Sequence, residues 1–293
     1  MDLEEPTVPY PFQKIPQPTT LFKMIDNNNK VAVVFGVRND SSIAFAIALK
    51  LHQSGCKVAL NYVEETKDEV LFLMEKHGFD VTLAYPADVR KENEIQHFLQ
   101  GVHQKCGNIN YILHGVAFGN QQVMCYTLPG ATGEAPSYIN IPFEDLMDSF
   151  NISAYSLLRI CRVAEPLLAP NASVLTLTYN ASQRVFPNYA GMGINKAALE
   201  NIMLYLANYF RKSKVRVNAI SAGLVMTTSA GGVNGVRALR KIGKITSPLG
   251  NVDADDVSNT ALYYFSDLSS KVTGNIHFVD GGFNIMGVSS NGE

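Results

Sequence analysis

Short apolar, β-branched runs alternate along this chain with longer stretches whose apolar positions recur three and four residues apart. Val31 to Phe35 predicts a first strand, and a helix from Ser42 to about Gln53 follows, capped by Ser41 or Ser42 and stopped at Gly55. Strands two, three and four are expected at Val58 to Tyr62, Val81 to Tyr85 and Asn110 to His114. Helices at Glu65 to His77 and Glu92 to Gln104 separate them. A long loop, Gly115 to Pro142, leads into a long helix from Phe143 to Leu168. Val174 to Thr178 reads as strand five, followed by a polar loop closed by Pro187 and Asn188 and an alanine- and leucine-rich helix from about Tyr189. Val215 to Ile220 is strand six, followed by a Gly/Ser/Thr-rich segment, Thr227 to Gly235. A helix from Asp253 to Ser266, capped by Asp253, and strand seven, Ile276 to Val279, complete the pattern before the turn Asp280-Gly281-Gly282. This alternation predicts an α/β fold with a parallel sheet covered on both faces. No internal repeat and no second domain are expected within residues 30–293.

Residues 1–29 break the pattern. They hold five prolines and end in Asn27-Asn28-Asn29, an extended arm that Tyr10, Phe12, Leu21 and Phe22 could anchor. With 46% hydrophobic residues among 293, the chain has ample material for a core. Its net charge of −2 and lack of a Lys/Arg block disfavour nucleic acid and anionic membrane as partners. No apolar run has the length of a membrane span, and the acidic start Met1 to Glu5 is unlike a signal peptide, so a cytoplasmic protein is expected. Four scattered cysteines read as reduced thiols, and six scattered histidines show no ligand spacing, so no metal site is expected.

The candidate chemistry centres on Val174 to Tyr209. Tyr189 and Lys196 stand seven apart, two helical turns, on one face, and the tilt of helical side chains carries the amine back toward the phenol. An ammonium there would lower the phenol's pKa and make it a usable proton donor and acceptor. Gly191 and Gly193 would clear space for a bound molecule. The same spacing also arises by chance on an amphipathic helix; Tyr179, ten residues earlier, and the upstream turn argue for chemistry. That turn, Gly36 to Ser42 with Ile43 behind it, offers backbone N–H groups and a hydroxyl at a helix N-terminus, where a pyrophosphate would be held. Glu64 and Glu65 at the tip of strand two would meet an adenosine ribose and repel a 2′-phosphate. Glu65 serves equally as an acidic residue at a helix start. Asp88 with Val89 would reach an adenine, or Asp88 would cap the next helix. Asn151 would join a polar relay or sit on an ordinary helix face.

These residues resemble the short-chain dehydrogenase/reductase superfamily and, within it, the bacterial-type enoyl-acyl-carrier-protein reductases. The likeness rests on G-V-R-N-D-S-S-I-A from Gly36, H-G-V-A-F from His114, the pattern Y-x9-Y-x6-K from Tyr179 to Lys196, V-R-V-N-A-I-S-A-G from Val215, and G-N-I-H-F-V-D-G-G-F from Gly274. It covers about Lys30 to Gly287. The resemblance implies a Rossmann-type doubly wound domain with a seven-stranded sheet of order 3-2-1-4-5-6-7, in a homotetramer. It implies NADH-dependent reduction of an enoyl thioester on acyl carrier protein or CoA. Tyr189 would hydrogen-bond the thioester carbonyl, Lys196 would hold the nicotinamide ribose, and Tyr179 would sit near the substrate with Gly119. Val116, Ala222, Gly223, Val225 and Thr227 would contact the cofactor, and Thr227 to Gly243, including Val233, would form a lid over the acyl chain.

The chain departs from the family pattern near the expected acyl site: Leu224 replaces the usual proline, Gly115 and Ala117 replace Ser and Gly, and the Met124 to Ile141 stretch is long. Housekeeping fatty-acid synthesis and a specialised acyl pathway both fit. A carbonyl reductase of the same superfamily is the alternative enzyme, with Thr176, thirteen residues before Tyr189, standing in for its usual serine. A non-catalytic nucleotide-binding homologue is the third reading.

Overall fold

The computed structural model describes residues 25–125, 136–186, 189–227 and 236–288. The seven strands form one parallel sheet of order β3-β2-β1-β4-β5-β6-β7: β1 Val31–Phe35, β2 Lys57–Tyr62, β3 Ala84–Pro86, β4 Ile109–His114, β5 Leu168–Thr178, β6 Arg216–Ala222 and β7 Ile276–Val279. Every residue of β1 and of β6 is buried; β1 accordingly reads as one apolar run, whereas β6 buries the polar Arg216, Asn218 and Ser221 among its apolar residues. Val33 pairs with Ala59 on one side and Ile112 on the other, at the centre of the core.

The helices are α1 Ile43–Gln53, α2 Lys67–Lys76, α3 Glu92–Cys106, α4 Gln121–Met124, α5 Phe143–Phe150, α6 Ser156–Ala164, α7 Ala190–Tyr209, α8 Val236–Thr246 and α9 Ala254–Phe265. α1 packs on α9, and α6 packs on α3 and α7. Asp253 caps α9 as expected, its Oδ1 accepting from the N–H groups of Asp255 at 2.9 Å and Asp256 at 3.0 Å. None of the described helices is long and apolar enough to cross a membrane.

Three elements differ from the sequence reading. Val81–Leu83 is a 3₁₀ turn held by Asp80, so β3 shrinks to Ala84–Pro86. The long helix is interrupted by a π-turn at Asn151–Tyr155 and ends in a 3₁₀ turn at Glu165–Leu167. β5 therefore starts at Leu168 rather than Val174, with a register shift opposite Ile109/Tyr111 and Asn171 in the left-handed region at φ 60. Residues 1–24 of the arm lie outside the described residues. Asn27 is buried, bonding Ser54 Oγ at 2.8 Å and the Tyr111 hydroxyl at 2.9 Å.

Candidate active site

The strand order reverses between β1 and β4, and in open α/β sheets ligands settle beyond the carboxyl ends of the strands at such a point. Gly36 leaves β1 there with φ +99, and a Cβ on it would lie 2.3 Å from the Gly115 carbonyl oxygen and 3.0 Å from Val116 N. Only glycine lets the two strand ends approach this closely. Gly36 N–H donates to Asn61 Oδ1 at 3.1 Å, and Asn61 Nδ2 donates to the Ala87 carbonyl at 2.8 Å. This buried asparagine, absent from the sequence reading, stitches together the ends of β1, β2 and β3.

Ser42 sits where expected but does other work. Its Oγ accepts from the backbone N–H groups of Arg38 and Asn39, each at 3.1 Å, and makes no side-chain cap to α1. The hydroxyl holds the turn in shape. Ile43 opens α1, whose first turn has no acidic residue, so the positive end of the helix is unopposed. Glu64 and Glu65 are exposed at the β2 tip in a 3₁₀ turn.

Asp88 neither caps the next helix, whose N-cap is Lys91, nor presents a free carboxylate. Its oxygens accept from Arg90 Nε and Nη2, the shortest at 2.7 Å. Burial pushes this carboxyl up, but the Arg90 hydrogen bonds and charge outweigh it and hold it below the usual range. Val89 is buried, and its carbonyl accepts from Arg159 Nη1 at 2.6 Å. Asn151 Oδ1 accepts from the same guanidinium at 2.7 Å, which commits that asparagine to Arg159.

At the end of β5 the Tyr179 and Tyr189 rings meet edge to face, 5.1 Å apart. Tyr189 stands just before α7, and Lys196 is buried two turns along it. The expected lowering of the Tyr189 pKa is overturned. Lys196 Nζ donates to the Leu177 carbonyl at 2.8 Å, and burial, the governing influence on the phenol, raises its pKa. Burial likewise raises Tyr179, with Tyr189 and Asp280 adding to it. Both phenols are neutral donors. Burial pulls Lys196 down to about 8, against the opposing charge of Glu200. Glu200 is one turn beyond Lys196 and accepts from Thr178 Oγ1 at 2.6 Å; the i, i+4 spacing was its signal in the sequence. Gly191 and Gly193 do not clear room for a ligand: a Cβ would lie 2.8 Å from Val123 Cγ1 and 2.8 Å from the Ala181 carbonyl respectively.

Thr176 is unavailable to a substrate. It is fully buried, with Oγ1 2.8 Å from His114 Nδ1, while His114 Nε2 lies 2.8 Å from Ser156 Oγ. Ser156 donates its own proton to the Ile152 carbonyl at 2.6 Å, so Nε2 carries the hydrogen and Nδ1 accepts from Thr176. Burial, then the Lys196 charge, pulls His114 down to about 3, so the imidazole is neutral.

Ala222 and Val225 are buried at the end of β6, and the backbone between them turns tightly. Val225 N–H donates to Gly223 O at 2.9 Å, and Thr227 N–H to Val225 O at 3.0 Å. A narrow cleft of about 40 Å³ opens beside them, lined by Tyr179, Phe186, Leu224, Leu239 and Phe283 among others. Val116 packs against the core, and Gly119 lies on Met192, to whose Cγ a Cβ would come within 2.9 Å. Val233 lies outside the described residues; part of the expected lid is helix α8.

The profile of the family described as Enoyl-(Acyl carrier protein) reductase matches residues 36–284. The chain belongs to the enoyl-(acyl carrier protein) reductase family. The enoyl-[acyl-carrier-protein] reductase [NADH] of Synechocystis sp. is 36% identical over 270 residues, 90% of this chain and 100% of that protein. The corresponding Bacillus cereus protein is 36% identical over 88% of this chain and 98% of its own length. Among solved structures, the family member from Anaplasma phagocytophilum in complex with NAD superposes with a TM-score of 0.81 at 34% identity, covering 90% of this chain and 95% of that one. The Bacillus cereus enoyl-acyl carrier protein reductase with NADP+ and an indole naphthyridinone gives 0.84 at 33%, covering 90% and 100%. The family's matched span starts at Gly36 and runs past the Asp280-Gly281-Gly282 turn, so it takes in both glycine-bearing strand ends and the Tyr–Lys helix between them.

Proposed function

We propose that this chain reduces the carbon–carbon double bond of an enoyl thioester with NADH, as one reductase domain spanning residues 30–293. The observation that carries the choice of reaction is the pair of neutral phenols, Tyr179 and Tyr189, beside a Thr176 whose proton is held by His114. Ketone reduction places the alkoxide on the carbon that receives hydride, and the superfamily's carbonyl reductases need the hydroxyl at position 176 there. Enoyl reduction instead develops charge on the thioester oxygen, two carbons away, and asks for a donor to an enolate. Tyr189 donates to that oxygen, and Tyr179 orients its ring and borders the acyl cleft.

The residues at the switch point fit a dinucleotide. The Gly36–Gly115 approach leaves no side chain over the turn, and α1 presents its positive end. Gly36, Ser42, Ile43 and Val116 would hold the pyrophosphate side, Glu64 the adenosine ribose, Lys196 the nicotinamide ribose, and Ala222, Gly223, Val225 and Thr227 the nicotinamide end. Asp88 and Val89 would border the adenine from the turn beyond β3, with the Asp88 carboxylate held by Arg90, its N–H by Glu94 and the Val89 carbonyl by Arg159. When bound, the dinucleotide supplies the hydride. Gly119, with Val233 beyond it in sequence, would face the acyl chain, which the cleft's Leu224, Leu239 and Phe283 suit. A homotetramer in the cytoplasm acting on acyl carrier protein completes the proposal; the exposed Leu204, Tyr205 and Tyr209 on α7 supply an apolar face for self-association.

The purified protein with NADH and a crotonyl thioester should consume the cofactor. NADH is favoured over NADPH by at least about tenfold in kcat/KM, because a 2′-phosphate would stand against Glu64 and Glu65. Arg90, the guanidinium that feels Glu65, is already clamped by Asp88. Equal or faster turnover with NADPH contradicts the assignment of the β2 tip.

A further inference from the structure

Under the start of α7 lies a small second apolar cluster, Val123, Met124 and Met192, with Ile141 and Tyr189 packed against it. One wall of this cluster is polar. Ser149 at the end of α5 and Ser153 in the π-turn grip both backbone groups of Phe118. Phe118 N–H donates to Ser153 Oγ at 2.8 Å, and its carbonyl accepts from Ser149 Oγ at 2.6 Å and Ser153 Oγ at 3.0 Å. Asn195, fully buried next to Lys196, donates from Nδ2 to Ser149 Oγ at 2.6 Å. Its Oδ1 is buried and meets no donor. A buried amide with an orphaned oxygen is costly, and an apolar residue would pack there without that cost. The hydrogen bond to Ser149 has a definite consequence: by filling an acceptor position on Ser149 Oγ, Asn195 leaves that hydroxyl's proton for the Phe118 carbonyl. π-turns of this kind concentrate at functional positions.

We infer that Asn195 and Ser149 are positioning residues for the acyl site, fixing the Phe118–Gly119 backbone against the Tyr189 helix. The half-exposed Phe118 ring and Gly119, seated on Met192, are thereby held beside the apolar cluster against which Tyr189 packs. The role in the acyl site rests on the enoyl-reductase reading; the grip on the loop does not. The pair acts on the thioester and not on the dinucleotide, because its contacts reach the Phe118–Gly119 end of the loop after β4 and the small apolar cluster, and not the Gly115–Val116 end that meets Gly36.

The test is a double-mutant cycle with Asn195→Ala, Ser149→Ala and both together, read in three ways. Each single change raises KM for the enoyl thioester about 3- to 10-fold, and the pair together no more than either alone, since removing both partners leaves nothing unpaired. kcat at saturating thioester and the Kd for NADH stay within about twofold of wild type. Amide hydrogen exchange at Phe118 to Cys125 speeds up about tenfold in each single variant while β4 and β5 are unchanged. Unchanged KM in both single variants overturns the inference, as does a double variant whose effect equals the product of the singles, or protection lost across the sheet as well. If wild-type protein reduces no enoyl thioester, the functional reading has failed, and the exchange arm alone then decides whether the pair holds the loop.

Discussion

Tyr189→Phe lowers kcat on an enoyl thioester by about 10²- to 10⁴-fold, the loss expected when a positioned acid or preorganised donor is removed. Burial keeps this phenol protonated, so its role is to donate rather than to abstract a proton. Its ring is placed by Tyr179 on one side and by the apolar cluster on the other. Phenylalanine fills the same volume, so the loss is one of chemistry and the fold is kept. NADH affinity hardly changes, because Lys196 lies two turns further along α7 and holds its own contact to Leu177. Steady-state rates at saturating NADH, paired with a fluorescence titration of the cofactor, separate the two quantities. Near-wild-type turnover with the variant moves the donor role to Tyr179 or to solvent.

Lys196→Ala has the second-largest effect and a different signature. It weakens NADH binding by at least about tenfold and lowers turnover as well, since it removes a buried cation and its hydrogen bond together. It also strips Glu200 of its nearby opposite charge, leaving a buried carboxylate with Thr178. The variant also changes how stability depends on pH. Burial holds the folded-state pKa of Lys196 at about 8, below that of the unfolded chain. Below about pH 8 the folded protein bears a buried ammonium, which costs stability. From there up to about pH 10.4 the unfolded state binds the extra proton, so this one group raises stability with pH by no more than about 3 kcal/mol. The raised phenols act the opposite way near and above pH 10, and the buried thiols of Cys56 and Cys161, both pushed up to about 12, do so from about pH 8.5, where unfolded cysteines ionise. Denaturant unfolding between pH 7 and 9.5 should therefore show wild-type stability rising relative to that of Lys196→Ala, which keeps the same thiols and phenols. Parallel curves for the two proteins contradict this account of Lys196.

Elements whose burial is uniform along their length were legible in the sequence. β1, with its five buried apolar residues, falls where the pattern put it; β7 and α9 are only partly buried and were placed instead by the Asp280-Gly281-Gly282 turn and the Asp253 cap. The misplaced start of β5 has a local cause: Pro170-Asn171 looks like a chain break, whereas the fold uses a left-handed Asn171 within an irregular ladder. A π-turn leaves no mark on hydrophobic spacing, so the helix from Phe143 read as unbroken. At the site, motif spacing gathered the tyrosines and Lys196 on β5 and α7 and the glycines on the strand ends. It missed what depends on partners distant in sequence: Asn61 bridging three strand ends, His114 holding Thr176, and Asn195 behind Lys196. The direction of the Tyr189 pKa was misjudged for a related reason. Helical spacing suggested the two side chains would meet, but the strand beneath offered the amine a carbonyl instead.

The most direct test offers the protein, with NADH, a matched pair of substrates: an enoyl thioester and the 3-ketoacyl thioester of the same chain length. Products are identified by mass. A saturated acyl product from the first and none from the second is the expected result. A 3-hydroxyacyl product from the second would show that the site reduces carbonyls after all, with Thr176 released from His114, and would contradict the enoyl assignment.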